Sequence, residues 1–221
     1  GEILMKALDL HPEDGLLKLQ AARQSALSSD WQTAEDLYNQ EISGFTTQMK
    51  ITGAKSVCTV RNIVKISEAL SHWNDASIWS KKLLEAQPEN QAAKITRLQF
   101  LVKALEYTEE TIDLRILEHS LSDKAIADSR DELTAMIANL ENEENSEIVH
   151  WTTRGKVILE PNQGNIRKLA LITPDAEDIA AMMIALNRSD QYSTAVQLAK
   201  KHDNEPLVLF VQAKCQQERD P

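Results

Sequence analysis

Three short stretches of this chain are written the same way: Trp31-Gln-Thr-Ala34, Trp73-Asn-Asp-Ala76 and Tyr192-Ser-Thr-Ala195. Each sets an aromatic three residues ahead of an alanine. Each follows a polar break, at Ser28-Ser-Asp30, Ser71-His72 and Arg188-Ser-Asp-Gln191, and leads into an apolar run. The runs are Leu37-Tyr38 with Ile42, Ile78-Trp79 with Leu83-Leu84, and Val196 with Leu198-Ala199. Proline closes units at Pro88 and Pro206, and Pro12 closes an earlier stretch, because its ring disfavours helix at the preceding residue and removes a donor. Recurrence at a fixed offset demands a repeated pair of helices, which restricts the fold more than any isolated motif.

Counting back 16 residues from each aromatic gives unit starts at Gly15, Val57 and Ala176. A further start at Gln91 places Tyr107 in the aromatic slot, with Glu110 where the small residue would stand. Val57 to Asn90 is then a complete unit of 34 residues. Composition agrees with helices throughout. There are 6 Gly and 6 Pro in 221 residues, roughly half of ordinary usage, and the good helix formers Ala, Leu, Glu, Lys and Gln dominate. A sandwich or barrel needs turn residues every 8–12 positions and is excluded. The chain is expected to be all-α, with about thirteen helices.

This pattern resembles the tetratricopeptide repeat, a helix-turn-helix unit of 34 residues with an aromatic and a small residue opening its second helix and proline near its end. The resemblance covers 2–122, with units starting near Gly15, Val57 and Gln91, and 176–217, a last unit plus a further helix. It implies an α-solenoid of antiparallel helix pairs wound into a right-handed superhelix. Ala34, Ala76 and Ala195 would be the points of closest helix approach. The family's Trp-x-x-Leu-Gly opening is replaced by Ala21-Ala22, Ile63-Val64, Leu98 and Met182-Met183 at or beside those positions.

Residues 123–175 read as an irregular helical segment. Ser122-Asp123 caps a long helix carrying Ala125, Ile126, Leu133, Met136, Ile137 and Leu140 on one face. A second helix runs from about Ser146 to Leu159 and is stopped by Pro161-Asn-Gln-Gly164; a short one spans about Ile166 to Ile172. Trp151-Thr-Thr-Arg154-Gly155 echoes the family opening, which leaves the preceding long helix unpaired.

A balance of 24 basic against 34 acidic residues, net −10, ranks nucleic acid low among partners. No apolar stretch is long enough to span a membrane, so insertion by this segment is not expected. Cys58 and Cys215 lie far apart without metal-ligand spacing and read as buried free thiols, which favours a reducing compartment such as the cytoplasm. The chain opens mid-pattern at Glu2-Ile-Leu-Met and stops at Glu218-Arg-Asp-Pro221, as a segment of a longer protein would. Its exposed ends would then be Ile3, Leu4 and Leu8 on one side and Leu207, Val208 and Val211 on the other, a route to self-association.

No catalytic, cofactor or metal site is expected. HExxH, GxSxG, GxGxxG and GxxxxGK[ST] are all missing, the five histidines fall near helix ends or on polar faces, and the acidic pairs are contiguous on helices. Cys58 has no histidine near it in sequence and reads as a packed thiol. Glu141–Glu147 lacks the glycine and spacing of an EF-hand. Trp31 and Trp73 share a repeat position and read as packing, whereas Trp79 or Trp151 could anchor a partner.

The resemblance implies a concave groove lined by first helices. Its slots here include Leu19 and Arg23, then Arg61, Asn62 and Lys65, then Ile95, Thr96, Gln99 and Lys103. Arg23, Arg61, Asn62, Lys65, Gln99 and Lys103 are the candidate partner contacts. Arg61 and Lys65, four apart, would suit a carboxylate or acidic peptide unless Glu68 or solvent takes them. Of the five slots with which some family members hold a C-terminal carboxylate, only Asn62 matches; Leu19, Arg23, Ala92 and Thr96 fill the rest. The expected function is a non-catalytic scaffold that presents this groove to a protein or peptide. The alternative is a regulatory or substrate-gathering region of a larger enzyme, or of an envelope-assembly protein.

Overall fold

The computed structural model describes residues 2–42, 51–70, 72–107, 122–172, 174–202 and 204–217. Among these there are twelve α-helices and no strand. In chain order they are α1 (Glu2–Leu10), α2 (Gly15–Leu27), α3 (Trp31–Ile42), α4 (Gly53–Ala69), α5 (Trp73–Ala86) and α6 (Gln91–Tyr107). There follow α7 (Asp123–Leu140), α8 (Ser146–Leu159), α9 (Gln163–Ala170), α10 (Ala176–Arg188), α11 (Tyr192–Lys200) and α12 (Pro206–Gln217). The count is twelve rather than about thirteen; the second helix expected of the Gln91 unit falls in 108–121, outside the described residues. None of the described helices is long and apolar enough to cross a membrane.

All three aromatic-x-x-Ala motifs open a helix, and one turn is used before each. The backbone N–H just ahead of the aromatic reaches back to the carbonyl five residues earlier: Asp30 to Ser25 at 2.9 Å, His72 to Ser67 at 2.7 Å, Gln191 to Leu186 at 2.8 Å. This six-to-one bond is the Schellman closure of a helix C-terminus. Its left-handed residue is Ser29 (φ 61°) in the first turn and Asp190 (φ 57°) in the last. Past the turn, Ala34, Ala76 and Ala195 are fully buried.

Contacts divide the chain into two compact units. The first comprises Gly1–Phe100 and Tyr107–Ile126. In it α2 packs on α1, α3 and α4, and α4 on α5. The buried stripe of α4 is Val57, Val60, Ile63, Val64 and Ser67, at helical spacing. Cys58 stands one residue off that stripe and is exposed, contrary to the packed thiol expected. Trp79 lies on the stripe Ala76, Trp79, Ser80, Leu83 of α5 and is buried, which removes it as a surface anchor. Trp73 is buried and packs on Phe100 with ring centroids 6.4 Å apart, while Trp31, in the first turn of α3, is exposed.

Two helix ends differ from the repeat count. The first helix of the second unit begins at Gly53 rather than Val57, since Thr52 is extended (φ −130°) and Gly53 takes φ 74° to start it. Tyr107 ends α6 instead of opening a new helix: Gln91–Tyr107 contains no Gly, Pro or polar break at which to turn.

The second unit comprises Leu101–Glu106 and Ala127–Pro221. Here α10 is the central element, packed on α8, α9, α11 and α12. Its core joins Ile179, Met182, Met183 and Leu186 to Leu169, Ala195, Ala199, Val208 and Val211. Helix α7 is not left unpaired. Leu133 and Ile137 meet α8 at Gly155, where a Cβ would stand 3.0 Å from Ile137 Cδ1 and 3.4 Å from Leu133 Cδ1 and Val102 Cγ2. The short helix starts at Gln163, three residues early, because Asn162 caps it by accepting the Asn165 N–H at 3.0 Å. In α12 the stripe Val208, Val211, Cys215 is buried, so the exposed apolar residues at that end are Leu209 and Phe210. At the other end Ile3 is exposed, Leu4 half-buried and Leu8 buried.

Candidate functional site

Helices α2 and α4 place three of the expected groove residues around one space. A cavity of about 310 Å³ is lined by Leu4 of α1, Leu19, Gln20, Arg23, Gln24 and Leu27 of α2, and Asn62 of α4. Residues 20, 23, 24 and 27 follow the 3–4 spacing of one helix face, so a single face of α2 supplies the wall. Arg23 is its one charged side chain and is exposed; Gln20, Gln24 and Asn62 add amide donors and acceptors, Leu4 and Leu27 supply apolar surface, and Leu19 is fully buried beneath them.

The other candidates lie elsewhere. Arg61 and Lys65 are half-buried on α4 outside that lining, and Arg61 Nε is buried with no hydrogen-bond partner among the described residues. Gln99 is half-buried on α6. Lys103 belongs to the second unit and is occupied: Nζ lies 3.6 Å from Glu177 Oε2 and 5.9 Å from the Trp151 ring centroid. A wider space of about 770 Å³ in the first unit is bordered by Gly15, Glu41, Lys55, Ser56 and Thr59. Among the described residues no group of three or more His, Cys, Asp or Glu is placed to hold a metal ion.

The first unit also holds a polar relay joining α3, α4 and α5. The buried Tyr38 hydroxyl shares a hydrogen bond with Ser67 Oγ (2.8 Å) and donates to Asp75 Oδ2 (3.0 Å). His72, at the start of α5 and buried, contacts Glu35 Oε1 at 2.9 Å and meets Tyr38 edge-on. Burial pushes the Tyr38 phenol up despite Ser67, so it stays a donor. Arg97 is buried as well: its Nη1 donates to Ser80 Oγ (2.9 Å) and Ser77 O (3.2 Å), with the guanidinium over Phe100.

Among the described residues, a buried cluster of charges lies in the second unit. Arg154 of α8 forks onto Glu106, Nε to Oε1 at 2.6 Å and Nη2 to Oε2 at 2.7 Å, with both side chains at most 5% exposed. Its Nη1 donates to Asp178 Oδ1 at 3.3 Å and lies 3.5 Å from Glu177 Oε2. His150 Nε2 contacts both oxygens of Asp178 at 2.9 Å. Burial pushes the Glu106 carboxyl up and works against the Arg154 charge, while the charge and hydrogen bonds of Glu106 raise the guanidinium above its ordinary value. A guanidinium keeps its proton, and a two-pronged contact this short is that of a carboxylate, so the pair is ionised. Trp151, flanked by Arg154 and Lys103, is buried and unavailable as a partner anchor.

The chain matches no family model, no curated protein and no solved structure.

Neither buried arginine was marked as such by the sequence reading, although a signal exists. In α8 the buried positions Ile148, Trp151, Thr152, Gly155 and Ile158 trace one face, and Arg154 lies beside it among apolar neighbours. Glu106 follows Val102 by four residues in the same register. A charge in a core slot calls for a buried partner.

Proposed function

We propose that this chain is a non-catalytic interaction scaffold of tetratricopeptide type, a solenoid whose first helices offer a groove to an acidic peptide or protein segment. One observation carries the reading. Leu19, Arg23 and Asn62, which the repeat register turns toward a common groove, line a single cavity on α2 and α4. Three identically closed turns and three buried alanines at the helix approach add support for repeated units.

The test is fluorescence anisotropy with labelled peptides of acidic, neutral and basic composition. Acidic peptides should bind best, and Arg23→Glu should weaken them about tenfold or more, while Lys200→Glu, on the exposed face of α11, should leave them unchanged. Absence of acidic-peptide binding, or binding indifferent to Arg23→Glu, overturns the groove.

A further inference from the structure

We infer that His150 is a pH-operated latch on the start of α10: when charged it clamps Asp178 to α8, and when neutral it loosens the cap that begins the helix.

The N-terminus of α10 is held by a reciprocal pair. Asp175 Oδ1 accepts the Asp178 N–H at 2.9 Å, and Asp178 Oδ2 accepts the Asp175 N–H at 3.2 Å. The Asp178 carboxylate therefore serves the cap, Arg154 and His150 together, and its side chain is only 2% exposed. Its position depends on what balances its charge.

Arg154 cannot supply that balance alone. Its fork is committed to Glu106, and its remaining Nη1 is shared between Asp178 and Glu177. The charged groups that act on His150 are Arg154 on its own helix and Asp175 and Asp178 from α10 and its cap; Arg154 is in turn met by Glu106 from the end of α6 and by Glu177, which also holds Lys103. With Asp175 counted, four carboxylates stand against the two permanent cations Arg154 and Lys103. A proton on His150 sets a further positive charge beside that excess. The imidazole is the member able to exchange it, since its side chain is 24% exposed against 2% for Asp178. The hydrogen bond to Asp178, followed by that carboxylate's charge, raises His150 above its ordinary value, against burial and Arg154. Neutral imidazole can still donate one N–H, so deprotonation weakens the clamp without abolishing it.

The experiment follows the His150 ring by NMR between pH 5 and 9, alongside hydrogen-exchange protection of the Asp178 and Ile179 amides corrected for intrinsic rates. Protection should fall about fivefold as the ring loses its proton, the difference between a charge-assisted and a neutral hydrogen bond, while amides of α4 such as Ile63 hold steady. In His150→Gln, which keeps an N–H donor without the charge, the profile should be flat. Unchanged protection across the ring's titration overturns the latch in the wild-type chain alone. An equal fall in His150→Gln overturns it too.

Discussion

Ser29 and Arg154 are single residues whose environments set opposite signs of response to substitution. Ser29 sits at φ 61°, where an L side chain crowds its own carbonyl. Ser29→Gly should therefore stabilise the chain by up to about 1 kcal/mol in urea unfolding, and Asp190→Gly by less, because aspartate tolerates this region better. Arg154→Met should cost about 3–5 kcal/mol by stranding the buried Glu106 carboxylate. Adding Glu106→Leu should restore most of that loss; no restoration would mean that Arg154 acts through contacts other than Glu106. The sequence made the two cases unequally legible. Ser29 falls in a polar break that announces a turn, whereas Arg154 was absorbed into an echo of the repeat opening. Its partner stands 48 positions away, a pairing that spacing does not reveal.

The elements were largely legible because their ends are set locally. Gly15, Gln91, Ala176 and Ser146 begin helices where cap chemistry and the aromatic count place them. The second-helix starts at Trp31, Trp73 and Tyr192 follow for the same reason. Local features were also misread at Gly53, Gln163 and Tyr107, but the pairing of helices was misread where long-range packing decides. The pairing of α7 with α8 rests on the missing side chain at Gly155 and the methyl groups that fill its place. Gly155→Leu should destabilise by about 1–3 kcal/mol through overpacking. The milder Gly155→Ala should be better tolerated in an Ile137→Val background, which removes the crowding Cδ1; equal cost in both backgrounds would place the conflict elsewhere. At the corresponding tight point of α5, Ala76→Leu should cost about 1–3 kcal/mol, and a variant as stable as the parent would undo the assignment of Ala76 to the helix approach. The repeat register named Arg23 and Asn62, and both border one cavity lined mostly by a single face of α2; it did not reveal that Lys103, on α6, is drawn to Glu177 and Trp151.

For the molecule as a whole, net charge and the His150–Asp178 pair both bear on how stability varies with pH. A net −10 at pH 7 repels itself, and the charge shrinks toward a pI near 5.0. His150 is raised in the fold, so its contribution is complete below its ordinary 6.5 and is lost as pH climbs through the raised value. Asp178 behaves in the opposite sense. Burial pushes it up, but the hydrogen bond and charge of His150, with Arg154, bring it below its ordinary 3.8, so its contribution is present above that value and is lost as pH falls through the depressed one. The urea midpoint should therefore rise from pH 8 to between 5 and 6, then drop below about 4. His150→Gln should flatten the alkaline limb and Asp178→Asn the acid limb, and added salt should raise the midpoint at pH 7. A midpoint that keeps rising below pH 4 would contradict the Asp178 assignment.

The three Schellman-closed turns also bear on the order in which the chain folds. Each is sealed by a bond between residues five apart, so a helical hairpin can close with little loop entropy before any distant contact exists. The Glu106–Arg154 pair must wait for a loop of 48 residues to be drawn in. Hairpins near Trp31, Trp73 and Tyr192 should thus form early and the buried charge cluster late, so that in refolding followed by pulsed hydrogen exchange the amides of α3, α5 and α11 are expected to gain protection before those of α8 around Arg154.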